Sequence, residues 1–186
     1  EDCAYCPQAA RYHTGVKAEK ILDKEVILKA AHSAKESGSS RFCMGAAWRG
    51  IRDGKAFDDI LDVVKEVKGL GMEVCCTMGM LSEDQAKRLK EAGLHAYNHN
   101  LDTGPKYYER IISTRTYKDR LETLGHLRSA GISVCCGGII GMGESKDDRI
   151  DLLHILSTMP EHPESVPINA LISVQGTPLE DRKPIP

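Results

Sequence analysis

Four stretches of this chain end the same way. A segment rich in Lys and Glu, or in Arg, runs up to a glycine, and a short apolar run follows. The stretches are KESGSSRFC, KGLGMEVCC, KEAGLHAYN and RSAGISVCC, with glycines at 38, 71, 93 and 131. A glycine just past a helix end suits the left-handed conformation found there. The runs that follow are short and rich in β-formers. The upstream segments carry helical spacing: Ile60, Leu61, Val64, Val67 and Leu70 within 57–70, and Leu121, Leu124 and Leu127 further on. Ser82 with Gln85, and Ser145 with Asp148, have capping-box spacing, and Asp23 stands where it can cap a helix over 24–37. The last strand is expected within 165–174. Such alternation predicts an α/β fold of parallel strands joined by right-handed crossovers. Successive glycines lie 33, 22 and 38 residues apart, which fits βα units. An open doubly wound sheet and a (β/α) TIM-type barrel both satisfy the pattern.

The rest of the composition narrows the partners. The chain has 186 residues, 41% apolar and 28% charged, with a net charge of −2. That is a globular composition, unlike a disordered or collagen-like one. No apolar run approaches the ~20 residues of a membrane-crossing helix, so no membrane partner is expected. No basic-then-apolar leader opens the sequence, so no signal peptide is expected. A basic excess is missing, so no nucleic-acid partner is expected. The anomaly is seven cysteines, at 3, 6, 43, 75, 76, 135 and 136. An odd number argues against a closed disulfide framework.

In parallel α/β folds chemistry sits where strands end. Counting from the glycines, Cys43, Cys75 and Cys135 each fall near a strand exit, as do Asn98 and Asn100. A single cysteine is usually a small buried hydrophobe. Three thiols converging from three strands suggest a soft metal or an iron–sulfur cluster, and a zinc site competes for the same donors. The doublets Cys75–Cys76 and Cys135–Cys136 need a choice, because adjacent strand residues face opposite ways. Alternation does not say which member faces the mouth. Cys3 and Cys6 form a C-x-x-C pair, open to redox, zinc or cluster readings. The run Gly137–Glu144 is either a backbone cradle for a ligand or an ordinary βα turn. It lacks the Lys-Ser/Thr of a phosphate loop. Asn98–Asp102 sets amides, an imidazole and a carboxylate at one exit, for ligand contact or for a turn.

Longer strings carry a resemblance. EDCAYCPQ at 1–8, RFCMGAAW at 41–48, YNHNLDT at 97–103 and VPIN at 166–169 resemble the biotin synthase family of radical S-adenosylmethionine enzymes, over the whole chain. The resemblance implies the barrel rather than the open sheet. It implies a 4Fe-4S cluster held by a C-x-x-x-C-x-aromatic-C motif. Cys3 and Cys6 match its second and third thiols, Tyr5 its aromatic residue, and the first thiol would precede Glu1. That cluster cleaves S-adenosylmethionine to methionine and a 5′-deoxyadenosyl radical. A second, 2Fe-2S cluster would take Cys43, Cys75 and Cys135 as ligands and donate sulfur, leaving Cys76 and Cys136 as outward-facing non-ligands. Its fourth ligand, an arginine, would lie beyond Pro186. Asn100, Asp102 and Arg120 match positions that contact the cofactor; for Arg120 the competing expectation is an exposed helix residue paired with Glu122. Asn100 and Asn169 match positions near the substrate, dethiobiotin. Gly137–Glu144 matches the G-x-I-x-G-x-x-E motif of radical enzymes.

The resemblance therefore implies a sulfurtransferase that closes biotin's thiophane ring, fed by a reducing electron-donor protein and assembled as a homodimer. The compartment would be the cytoplasm in a bacterium and the mitochondrial matrix in a eukaryote. A complete barrel takes roughly 250 residues. The chain is thus expected to be one part, cut at both ends, of a single barrel domain spanning 1–186, and inactive in isolation. The alternatives are another radical enzyme of this kind, a zinc-binding protein, or an inactive remnant.

Overall fold

The structure, a computed structural model, describes residues 2–185. Helices and strands alternate: α1 (Lys24–Glu36), β1 (Arg41–Gly45), α2 (Lys55–Gly69), β2 (Glu73–Thr77), α3 (Glu83–Ala92), β3 (Ala96–Asn98), α4 (Pro105–Tyr108), α5 (Tyr117–Ser129), β4 (Ser133–Cys135), β5 (Gly138–Ile140), α6 (Lys146–Thr158) and β6 (Ile168–Ala170). Among the described residues no helix is long and apolar enough to cross a membrane. The chain divides into two compact units.

One unit comprises residues 20–99 and 123–134. Its sheet runs in the order β1-β2-β3-β4. The β1–β2 and β2–β3 pairs are parallel, with Cys43 opposite Cys75 and Cys75 opposite Ala96. Alternation along these strands sorts the side chains. Phe42, Met44, Val74, Cys76 and Tyr97 share one face. Arg41, Cys43, Glu73, Cys75 and Asn98 share the other. The apolar stripe of α2 is buried through Phe57, Ile60, Val64 and Val67. Burying one such side chain contributes about 1.5–3 kcal/mol.

Helix ends follow the sequence closely. Gly38, Gly71, Gly93 and Gly131 all adopt positive φ, between 69° and 105°. The Ser82–Gln85 capping box forms with both of its bonds. Asp23 is the N-cap of α1 but makes no side-chain capping bond; its carbonyl accepts from Val26 and Ile27 instead. The repeat carries a second device. A cation stands three residues before each of the four glycines. The Lys35 ammonium donates to the Leu70 carbonyl at the end of α2, and Lys90 donates to the Gly131 carbonyl past α5. The Lys68 stem crosses Gly93, where an added Cβ would stand 2.2 Å from Lys68 Cδ. Ammonium groups at helix C-termini satisfy free carbonyls and complement the dipole.

The other unit comprises residues 1–19, 100–122 and 135–186. Its core gathers Cys3, Ala4, Tyr108, Ile111, Ile112, Met142 and Leu179. Here β5 and β6 pair in parallel, Ile139 opposite Asn169, and Asp102 bridges to Gly138 on the other side of β5. Two expectations change. The strand sought in 165–174 shrinks to Ile168–Ala170, because Pro167 has no N–H for a ladder. The run 137–144, read as a cradle or turn, begins with β5 before turning into α6. Gly137 and Gly138 make that ladder possible. A Cβ at 137 would stand 1.9 Å from the Pro167 carbonyl oxygen, and one at 138 would stand 2.7 Å from that of Asp102.

Candidate functional site

Cys3 and Cys6 lie on one tight turn, closed by the Cys6 N–H donating to the Cys3 carbonyl at 2.9 Å. Cys3 is buried and Cys6 half-buried. Burial first, then the Asp102 carboxylate, raises the Cys3 thiol's pKa, while Arg115 and Arg120 pull it back. Asp2, just ahead of the turn, is also buried. Its carboxylate accepts from the Ser113 N–H (3.0 Å), the Thr114 N–H (3.2 Å), the Thr114 hydroxyl (3.0 Å), the Ser113 hydroxyl and, more distantly, Arg11. Burial opposes its charge, but the hydrogen bonds from Ser113 and Thr114 prevail and bring its pKa to about 2.

Asp102 follows β3 in the left-handed region, at φ 68°, a conformation Asp tolerates better than most residues. Its backbone is clamped to Gly137 and Ile139 by hydrogen bonds of 3.2 and 2.7 Å. Its carboxylate meets the Arg120 guanidinium at 2.5 Å, with side chains only 4% and 7% exposed. Arg120 Nε also donates to the Tyr108 hydroxyl at 3.0 Å. Burial works against the guanidinium's charge, but Asp102 and Tyr108 overcome it and raise its pKa. The exposed Arg120–Glu122 alternative does not form; Glu122 pairs with Lys118. Burial, and next the Asp102 carboxylate, keeps the proton on the Tyr5 hydroxyl. Asn100 Oδ1 accepts from the Gly137 N–H at 2.9 Å, which orients the amide. Glu144 accepts from the Gly141 and Gly143 N–H groups at 2.8 and 3.0 Å and pairs with Arg149. It shapes the turn from β5 into α6, which Ser145 and Asp148 cap with a complete capping box. Asn169 is exposed on β6.

The second set of thiols is divided between the units. Cys43 and Cys75 stand in register on neighbouring strands, on the face that also carries Asn98, and the Cys75 thiol donates to Asn98 Oδ1 at 3.6 Å. Cys76 faces the other way; burial raises its pKa strongly. Cys135 belongs to the other unit and bridges to Ser165. Its neighbour Cys136 is buried, which pushes that thiol up to about 12. Burial alone would not have sorted the first doublet, since Cys75 and Cys76 are 2% and 1% exposed. The strand register does.

Among the described residues no three His, Cys, Asp or Glu side chains group closely enough to hold a metal ion. The thiols come in twos: Cys3 with Cys6 on a turn, and Cys43 with Cys75 across a ladder. Paired thiols suit soft iron and sulfide. The donor set therefore fits part of each iron–sulfur site, with further thiols required from elsewhere.

Comparison with known proteins decides the family. The radical SAM superfamily profile matches residues 1–156. The chain belongs to the radical SAM superfamily. Among its curated relatives, the biotin synthase of Cytophaga hutchinsonii is 65% identical over 98% of this chain and 54% of its own length. The mitochondrial biotin synthase of Arabidopsis thaliana is 62% identical over 100% of this chain and 49% of its own length. The chain thus spans about half the length of these relatives. Among solved structures, methylornithine synthase superposes with a TM-score of 0.84 at 20% identity, covering 98% of this chain and 53% of that one. SuiB of Streptococcus suis, solved bound to S-adenosylmethionine, gives 0.70 at 12%, covering 98% and 40%. These likenesses show the fold: this radical SAM chain carries part of a (β/α) barrel. The expected open-sheet alternative is thereby set aside.

Two residues of these buried polar clusters escaped the sequence as partners. Tyr108 carries no motif, and its partnership with Arg120 depends on folding. Asp2 did leave a signal, an acid directly ahead of a C-x-x-C pair.

Proposed function

We propose that this chain is part of a biotin synthase, a radical SAM sulfurtransferase that inserts sulfur into dethiobiotin to close the thiophane ring of biotin. The observation that carries the reading is the 65% identity, along nearly the whole chain, to a protein of that name. Support comes from the in-register pair Cys43 and Cys75, since a protein that only cleaves the cofactor has no need of a second set of thiols. The family profile runs through residues of both compact units, which supports a single barrel domain over 1–186.

Cys3 and Cys6 are assigned to a 4Fe-4S cluster, and Cys43, Cys75 and Cys135 to a 2Fe-2S cluster. When bound, the first supplies the electron that cleaves S-adenosylmethionine and the second supplies sulfur. This chain's residues do the rest. Arg120 offers a guanidinium, held flat by Asp102 and Tyr108, to the cofactor's carboxylate; a fork of this kind binds carboxylate through two parallel bonds. Asp102 and Asn100 offer an acceptor and an amide to the ribose. Tyr5 sits beside them as a neutral donor. Asn100, with Asn169, contacts dethiobiotin. Glu144 fixes the glycine turn that borders the cofactor, and the apolar core around Met142 keeps water from the reacting centre. Reduction comes from an electron-donor protein, and the enzyme works as a homodimer, in the cytoplasm of a bacterium or the mitochondrial matrix of a eukaryote.

The test is Cys43→Ala in the full-length enzyme, with 5′-deoxyadenosine and biotin measured together. Cofactor cleavage should persist while biotin formation stops. Biotin at the unmutated yield would remove Cys43 from the sulfur-donating site.

A further inference from the structure

The mechanism above leaves one buried charge unused. Asp2 is 6% exposed. Its Oδ1 accepts from two backbone N–H groups and the Thr114 hydroxyl, while its Oδ2 takes the Ser113 hydroxyl and Arg11. Its own carbonyl accepts the Tyr12 hydroxyl at 2.7 Å. On the other side of Cys3, the Ala4 N–H donates to the Ile111 carbonyl at 2.9 Å. Cys3 is therefore fixed from both sides to one segment, residues 111–114.

That segment leads directly into α5. Thr116 and Asp119 close the start of the helix with reciprocal bonds of 2.7 and 3.1 Å. Arg120 is the next residue, buried against Asp102. A continuous and short path thus runs from the thiol turn, through the Asp2 carboxylate, to the guanidinium.

We propose that Asp2 is a positioning residue: its carboxylate locks the Cys3–Cys6 turn to the start of α5 and so sets the reach between the cluster thiols and Arg120. The proposal rests on the cofactor reading given above. A single S-adenosylmethionine must meet the cluster at one end and the guanidinium at the other. A lock between their supports fixes that span before the cofactor arrives. Without it each half still forms, but the two no longer hold one ligand together.

The test compares reconstituted full-length holoenzyme with Asp2→Asn and with the double variant Ser113→Ala/Thr114→Ala. Three quantities are read: iron and sulfide content, equilibrium affinity for S-adenosylmethionine, and the electron paramagnetic resonance spectrum of the reduced cluster with and without the cofactor. Asp2→Asn should keep its iron, lose roughly ten- to hundredfold in cofactor affinity, the worth of one hydrogen bond to a charged group, and show a smaller cofactor-induced spectral change. The double variant, which removes two hydroxyl donors and keeps the two backbone N–H groups, should move the same way by less, and combining the two should add little, because both weaken the same lock. Unmutated affinity and spectral response in Asp2→Asn overturn the proposal. If Asp2→Asn fails to load iron, the double variant, which leaves the carboxylate beside Cys3, decides alone by the same criteria. Failure of the unmutated enzyme to bind any iron–sulfur cluster would instead refute the cofactor reading itself.

Discussion

Replacing Asp102 by asparagine should destabilise the protein by about 3 kcal/mol, the low end of what removing one partner of a buried ion pair costs. The figure follows from the geometry. The paired side chains are 4% and 7% exposed, with nitrogen and oxygen 2.5 Å apart. Arginine cannot shed its proton to escape burial. The variant would leave a guanidinium facing a neutral amide, with the Tyr108 hydroxyl as a second partner. Asparagine is close in size, keeps an acceptor oxygen, and accepts the positive φ of this position as readily as aspartate does. Loss of the charge is then the main change. Urea denaturation of the cluster-free protein measures it through the shift in midpoint at constant slope. Adding Arg120→Met to the variant should restore part of the loss, because the unpaired charge is gone. A loss below about 1 kcal/mol is what a solvent-screened pair gives, and it would refute the buried-pair argument.

Two further outcomes are expected. Burial opposes the charge of Glu144, but hydrogen bonds from the Gly141 N–H, from its own N–H and from Arg149 prevail and hold its carboxyl below its ordinary 4.5. A group depressed on folding stabilises above its unfolded pKa, and that stability is lost as pH falls through the folded value. Melting temperature below pH 4.5 should therefore fall less steeply in Glu144→Gln than in the unmutated protein, and equal slopes would contradict the assignment. Gly137→Ala puts a methyl group 1.9 Å from the Pro167 oxygen, so the β5–β6 ladder must shift. We expect a loss of about 1–3 kcal/mol, the range of an overpacked core, and faster amide exchange at Gly138, whose N–H donates to Pro167.

Local rules made much of this legible in the sequence. The four glycines adopt the left-handed conformation their positions called for, and both capping boxes form. What local rules could not supply came from distant partners. Strand β5 hides in a glycine run because its pairing depends on Asp102 and Pro167, each about 30 residues away along the chain or more. Alternation alone did not say which of Cys75 and Cys76 shares a face with Cys43, and the strand register does. Arg120 was open between an exposed place beside Glu122 and a buried one, and its burial depends on Asp102, 18 residues earlier. Asp2 was legible as an acid but not as a lock, since its partners lie 111 and 112 residues downstream.

The lysines three residues ahead of Gly38 and Gly93 have a bearing beyond stability. Each reaches the helix end of a following unit and grips a bare backbone carbonyl, a group that every residue type presents alike. The joint is thus generic: it asks of a neighbour only a helix that stops on time. Side chains near the strand exits, by contrast, are particular to each unit. At these two joints a duplicated or exchanged βα unit would need to present only a backbone carbonyl to the lysine of its neighbour.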